Sequence, residues 1–283
     1  MTDDLCSGLR AKIESGASLL VPGIFDGISA RLAEDAGFPG ALISGIDAEG
    51  TLLASDQYGL LSMSERARHL RYIRQTVAFP LFVDAESGFG NALNTFYTAR
   101  ELERSGATAL ILNDQTAPAI SEFFQNLKVI STEEMIGKLH AAKDALDNPK
   151  TLIIARTDCL SVDGLDGAIN RIRHYQEAGA DLVIIGGVTD RPTIAKVAEL
   201  SDSLPIGIDV MEGRNSDCFT TQELFTLGFR IVFHPAAALF AAVQAEKSTL
   251  QALKKDQPSN SFEHDAFGRL FGNRFAPGKK VSR

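Results

Sequence analysis

The chain has 283 residues, 45% hydrophobic and 23% charged, an ordinary globular composition that excludes a disordered or collagen-like chain. The net charge of −8 comes without a basic stripe, which argues against a nucleic-acid partner, and Cys6, Cys159 and Cys218 are too scattered for a metal knuckle or a disulfide framework. No apolar run approaches the roughly 18 residues that span a bilayer, and the opening MTDDLCSGLRAK is polar and acidic, so the expectation is a cytoplasmic protein with free thiols and no membrane partner.

In chain order, short and nearly continuous apolar runs occupy Ser18–Phe25, Gly40–Gly45, Leu81–Glu86, Ala109–Asp114, Thr151–Asp158, Leu182–Gly187, Ile206–Met211 and Ile231–Pro235. Runs of this kind read as parallel strands covered on both faces. Helical patterns separate them. Ser131–Glu134 and Thr220–Glu223 have the spacing of a capping box. Gly37, Gly106, Gly179 and Gly228 stand where helices should stop, because the left-handed backbone that ends a helix costs glycine little. The alternation predicts an α/β chain folded as a (β/α)8 TIM barrel. An open doubly wound sheet would want a GxGxxG turn after the first strand, and here Gly23 and Gly27 only flank Ile24-Phe25-Asp26. The expected barrel covers residues 1–256. The stretch 257–283 reads as a C-terminal helical extension, not a separate domain.

Chemistry in such a barrel gathers at the C-terminal ends of the strands. Those ends read Phe25-Asp26, Ser44-Gly45, Asp84-Ala-Glu86, Asn113-Asp114-Gln115, Arg156-Thr-Asp158, Gly186-Gly187, Asp209 with Glu212, and His234. Asp84, Glu86, Asp114, Asp158 and Asp209 would share one mouth with Arg156. Oxygen donors gathered this way suit a hard divalent cation such as Mg²⁺, with Arg156 facing an anionic substrate. The competing reading makes the acids helix N-caps, and for Asp26, Asp114 and Asp158 it has equal weight. The i, i+2 spacing of Asp84 and Glu86 puts both on one strand face, where two carboxylates repel unless a cation or proton intervenes. No lysine ends a strand, which argues against a Schiff-base enzyme, and neither GxSxG nor HExxH is present. His234 is either a hydrogen-bonded wall residue or an acid–base group. Cys159 has no histidine near it in the pattern to make it a nucleophile.

These residues resemble the isocitrate lyase/phosphoenolpyruvate mutase superfamily. Val83-Asp-Ala-Glu-Ser-Gly-Phe-Gly-Asn-Ala-Leu-Asn94 is similar to its DADTGFGNALN stretch, and Val21-Pro-Gly-Ile-Phe-Asp26 with Ser29-Ala-Arg31 is similar to its opening PGAYDALSAR segment. Ile43-Ser-Gly45, Ser55-Asp56, Asn113-Asp-Gln115 and Ile154-Ala-Arg-Thr-Asp158 follow in family order, so the resemblance runs from about Val21 to Ala242. It implies a barrel that binds Mg²⁺ and a small 2-oxo or 2-hydroxy carboxylate, and that makes or breaks C–C or P–C bonds through an enolate-like species. By position it implies Asp84 as the direct Mg²⁺ ligand, with Glu86 and Asn113 acting on the metal through water and Asp56 near the metal waters. Ser44 and the Gly45 N–H would hold the substrate carboxylate and Arg156 its anionic oxygens, with Asn91 and Asp209 also at the substrate. Arg156, Asp56 and His234 are the catalytic candidates. The resemblance also implies a homotetramer whose dimers exchange a terminal helix. The Ala-rich Pro235–Leu253 suits that exchange, or equally an ordinary eighth barrel helix.

Departures from the family narrow the expectation. Glu86 replaces its second aspartate, and Asn113 replaces its glutamate and removes a negative charge. The loop Thr116–Lys128 lacks the cysteine acid of the lyases, and Gly186 stands where they carry a strand-6 glutamate. The surroundings of Gly186 look more like the oxaloacetate decarboxylase branch. The expectation is therefore a Mg²⁺-dependent, oxaloacetate decarboxylase-like lyase. The alternatives are a phosphonopyruvate-type or C–C-cleaving member with a non-cysteine acid, for which Asn126 and Lys128 leave room, and an altered barrel with a binding or scaffold role.

Overall fold

The computed structural model describes residues 2–56, 59–120, 126–214, 217–258 and 262–270. The chain begins with α1 (Thr2–Glu14), β1 (Leu19–Pro22), α2 (Gly27–Asp35), β2 (Ala41–Ile43), α3 (Gly45–Leu53) and α4 (Met63–Arg74). It continues through β3 (Leu81–Asp84), α5 (Ala92–Arg104), β4 (Ala109–Asn113), α6 (Thr132–Ala145), β5 (Leu152–Thr157) and α7 (Leu160–Glu177). It ends with β6 (Leu182–Ile185), α8 (Arg191–Ala198), β7 (Ile206–Asp209), α9 (Thr221–Thr226), β8 (Ile231–His234), α10 (Ala237–Lys254) and α11 (His264–Leu270).

The eight strands are parallel and ordered β1-β8-β7-β6-β5-β4-β3-β2. The two ends of that order meet: Gly23 bridges Leu42, and the Ile24 N–H donates to the Leu42 carbonyl at 2.8 Å. The sheet is thereby closed into the expected (β/α)8 barrel. Closure removes both sheet edges, which would otherwise leave backbone groups unpaired.

The apolar runs are continuous because each strand is buried on both faces, and alternate residues enter different cores. Leu19, Val21, Leu42, Phe82, Ile111, Ile154, Ile184, Ile231 and Phe233 fill the inside of the barrel. Phe82 and Phe233 meet there edge to face, with ring centroids 5.4 Å apart. Ile43, Val83, Leu110, Leu112, Ile153, Val183, Ile208 and Val232 face outward to the helices, against Leu70, Ile73, Leu102, Met135 and Leu139. Leu9 and Ile13 of α1 join the interior cluster, so this helix stoppers the N-terminal end of the barrel. The C-terminal end is left for the site.

Helix starts are held by side chains that accept orphan N–H groups. Thr220 with Glu223 forms the expected reciprocal capping box, and so do Ser44 with Asp47 and Ser62 with Glu65. Ser131 accepts from the Glu134 N–H, without the reciprocal bond to the carboxylate. Gly37, Gly106, Gly179 and Gly228 all have positive φ at helix ends, between 82° and 109°. Residues 1–238 form one compact unit that contains the barrel, and residues 239–283 form a second that holds most of α10 and all of α11. No helix among the described residues is long and apolar enough to cross a membrane.

Candidate active site

A cavity of about 60 Å³ opens at the C-terminal ends of the strands. Its polar lining is Ser44, Gly45, Asp84, Glu86, Asn113, Gln115, Arg156, Asp158 and Asp209, and its apolar lining includes Ile46, Ala119, Ile120 and Met211.

Strand pleating decides who points in. On β4 Ile111 faces the interior, so Asn113 does too, and the next residue, Asp114, faces the helices. Asp114 therefore does not join the other acids at the mouth. It is fully buried and accepts from Thr157 Oγ1 at 2.7 Å, Tyr175 OH at 2.8 Å and the Asp158 N–H at 2.9 Å. Burial pushes its carboxyl above the usual range against those bonds. Asp26 is an N-cap, accepting from the Ser29 N–H at 2.7 Å. Asp158 is not, because α7 is preceded by Cys159 with no side-chain cap, and Asp158 lines the cavity.

Arg156 is the only basic side chain among the described lining residues. Its Nε donates to Asp158 Oδ1 at 2.8 Å and its Nη1 to Asp209 Oδ2 at 2.5 Å. Asp158 is in turn held by Gln115, whose Nε2 donates at 2.7 Å while its Oε1 accepts from the Ile120 N–H. The guanidinium thus sits in a fixed fork, and fixed planar forks suit carboxylate recognition.

Two strands along the barrel from β5, β3 ends in Asp84, which accepts from the Gly45 N–H at 3.2 Å and the Glu86 N–H at 2.8 Å. Glu86 leaves the strand in a left-handed conformation, φ 52°, which brings its side chain back to the lining. Burial first and Asp84 second push the Glu86 carboxyl up to about 8, with Arg66 opposing. Arg66 Nη2 donates to Glu86 Oε1 at 2.6 Å. The neutral Asn113 accepts from the Gln115 N–H at 3.1 Å. Among the described residues, no three His, Cys, Asp or Glu side chains stand as a ready-made metal cage. Ser44 lines the cavity, but its Oγ donates to Asp47 Oδ2 at 2.7 Å in the α3 cap.

Three candidates lie off this lining. His234 follows the inward Phe233 and so faces outward, with Nδ1 3.1 Å from Glu212 Oε1. Asn91 is exposed and caps α5, accepting from the Leu93 N–H at 3.0 Å. Asp56 is exposed in the loop after α3. The loop Thr116–Lys128 is described only outside residues 121–125, and Asn215 also lies outside the described residues. Cys159 packs in the outer core, and burial pushes its thiol up to about 11. Gln115, read at the end of the fourth apolar run but given no role there, lines the cavity, and Arg66, behind the lining, is a residue that strand-end reasoning did not reach. Gln115 sits one residue past the apolar run. Arg66 lies on a helix, one and two turns from the buried Leu70 and Ile73, and that helical spacing was its one available signal.

The sequence profile of the phosphoenolpyruvate phosphomutase family matches residues 9–254. A 2,3-dimethylmalate lyase of Eubacterium barkeri is 31% identical, over 88% of this chain and 86% of that protein. An oxaloacetate decarboxylase of Rhodopseudomonas palustris is 35% identical, over 87% and 83% respectively. Among solved structures, a phosphonopyruvate hydrolase in complex with oxalate and Mg²⁺ superposes with a TM-score of 0.84 at 27% identity, covering 97% of this chain and 96% of that one. With a barrel mouth carrying Asp84, Arg156 and Asp158 and a family match over most of its length, the chain belongs to the phosphoenolpyruvate mutase/isocitrate lyase superfamily.

Proposed function

We propose that this protein is a lyase that decarboxylates a small 2-oxo dicarboxylate of the oxaloacetate type in the barrel-mouth cavity, with the help of Mg²⁺. The observation that carries the reading is the lining itself: one fixed guanidinium, Arg156, shares the mouth with Asp84 and Glu86, with no thiol among the lining residues. Asp84, Asp158 and Asp209 outnumber the one arginine there, and Glu86 adds a fourth carboxyl. That surplus of negative charge fits a hard cation, and Mg²⁺ is satisfied by one or two carboxylates plus water. Asp84 would be its direct ligand, with Glu86 and Asn113 reached through water. When bound, the cation would polarise the 2-oxo group and offset the negative charge that develops there.

The chain's own residues do the rest. Arg156 holds the substrate carboxylate in a set plane, and Asp158, Asp209 and Gln115 keep that plane from rotating. Ser44 and Gly45 place the N-terminus of α3 at the cavity, and that helix end favours an anion such as the substrate carboxylate. The bond between the β-carboxylate and its neighbouring carbon breaks, CO₂ leaves, and the electron pair moves onto the 2-oxo oxygen. The enolate carbon then takes a proton from water. No thiol acid is required, which agrees with Cys6, Cys159 and Cys218 all lying off the lining.

The relatives named above are a C–C lyase and a decarboxylase. The apolar wall of Ile46, Ala119, Ile120 and Met211 supports a second reading, cleavage of an alkyl-substituted 2-hydroxy acid. Incubation with oxaloacetate and Mg²⁺ separates them. Pyruvate and CO₂ should form in equal amounts above the spontaneous rate, and R156K should lower kcat/KM at least about 100-fold, as for loss of a fixed electrostatic contact. Turnover of alkyl malates without oxaloacetate decarboxylation would replace the first reading with the second. No turnover of either, together with no Mg²⁺-dependent thermal stabilisation by oxalate, would leave a binding barrel.

A further inference from the structure

Behind the cavity wall is a charge cluster that the proposed chemistry does not use. Glu49 on α3 is 0% exposed and Arg66 on α4 is 1% exposed. A single nitrogen, Arg66 Nη2, donates to Glu49 Oε2 at 2.9 Å, to Glu49 Oε1 at 3.1 Å and to Glu86 Oε1 at 2.6 Å. Arg66 Nε and Nη1 are buried and have no hydrogen-bond partner among the described residues. Glu86 lines the cavity and Arg66 does not. The guanidinium therefore meets Glu86 from the protein side, and a cation in the cavity would have to compete for the same carboxylate from the other.

Two physical effects follow. An oxygen committed to a short, buried, charge-assisted bond is withdrawn from other ligands. A fixed positive charge one side chain away also repels a divalent ion. We propose that Arg66 is a positioning residue that commits Glu86 to the protein side, lowering the affinity of the cavity for a divalent cation and leaving Asp84 as its principal carboxylate ligand. The proposal rests on the metal reading given above and deepens it.

The test is binding, not turnover. Mn²⁺ affinity is read from the electron paramagnetic resonance signal of free Mn²⁺, on metal-stripped full-length protein, for the wild type, D84N, E86Q and R66M. D84N should abolish saturable binding. E86Q should weaken binding by less than about threefold, against the roughly 10–100-fold loss typical when an effective supporting group of a metal site is removed. R66M should bind about tenfold tighter or more, because Glu86 is released and the repulsion disappears. Its thermal midpoint should also rise more with Mg²⁺ than the wild type's, since two buried acids are left without a counter-charge. A folded R66M with unchanged or weaker affinity overturns the proposal. Loss of binding in E86Q as complete as in D84N overturns it too, and that arm does not depend on R66M folding. Absence of saturable Mn²⁺ binding in both the wild type and folded R66M overturns the metal reading itself.

Discussion

A methyl group at position 186 would lie 1.9 Å from Asp158 Oδ1 and 2.8 Å from Arg156 Nη2. The glycine is needed for space, because its side-chain volume is already taken by the ion pair that fixes Arg156. G186A should therefore push Asp158 aside, destabilise the fold by about 1–3 kcal/mol in urea unfolding, and raise KM for the carboxylate substrate. G186A with unchanged stability and KM would show that the pair can reorganise freely. Thiol chemistry tests burial at the same scale. Cys6 and Cys159 are buried with raised pKa, whereas Cys218 is only partly buried. One thiol per native chain should react with an aromatic disulfide at pH 8, and three after unfolding. Asp84 and Arg156 were legible in the sequence because each ends an apolar run. Arg66 was not, because an arginine in the helical stretch MSERARHLRYIR, among Arg68, Arg71 and Arg74, looks like part of a solvated face. Only its i+4 and i+7 spacing to Leu70 and Ile73 distinguishes the one that turns inward.

Among the elements, α1 has the clearest structural task. Leu9 is 1% exposed and sits in the interior cluster with Leu19, Leu152 and Ile231. L9A should cost about 2–5 kcal/mol, as for other leucines cut to alanine in a close-packed core, and should leave kcat near the wild-type value because the site is at the opposite end. A large loss of kcat in folded L9A would mean that the barrel transmits the defect along its axis. The strands themselves were readable, since burial on both faces leaves an unbroken apolar run. Their ends were not: the run Ser18–Phe25 extends beyond β1 at both ends, because Ile24 is buried in the turn that closes the barrel while no longer in the strand. One-residue shifts matter at such ends. Asn113 and Asp114 are neighbours in sequence, yet pleating sends one to the cavity and the other to the Tyr175–Arg171 network. Likewise β8 ends in the inward Phe233 and the outward His234, so the last residue of a strand is not by itself a mouth residue.

For the whole molecule, pH dependence is a sum of opposing parts. Burial pushes the carboxyls of Asp47 and Asp114 above their ordinary range, so the folded state holds more protons than the unfolded one just above that range. Those two groups make the fold more stable as pH falls towards the ordinary carboxyl pKa, about 3.9. His69 acts the other way. It is 7% exposed, and its Nε2 lies 2.8 Å from the Phe25 carbonyl. Burial lowers its pKa, so the unfolded chain takes up a proton near 6.5 that the folded chain refuses. Because stability rises with pH wherever the unfolded state binds more protons, the His69 contribution is full above about 6.5 and is lost as pH falls below it. The two signs are separable with H69Q, which keeps an N–H donor near the Phe25 carbonyl but does not titrate. Between pH 7.5 and 5.5 the wild type should lose more unfolding free energy than H69Q, measured by urea denaturation at each pH. Equal slopes for the two proteins would mean that His69 takes up its proton as readily in the fold as in the unfolded chain, and that the barrel admits water to the α2–α4 layer.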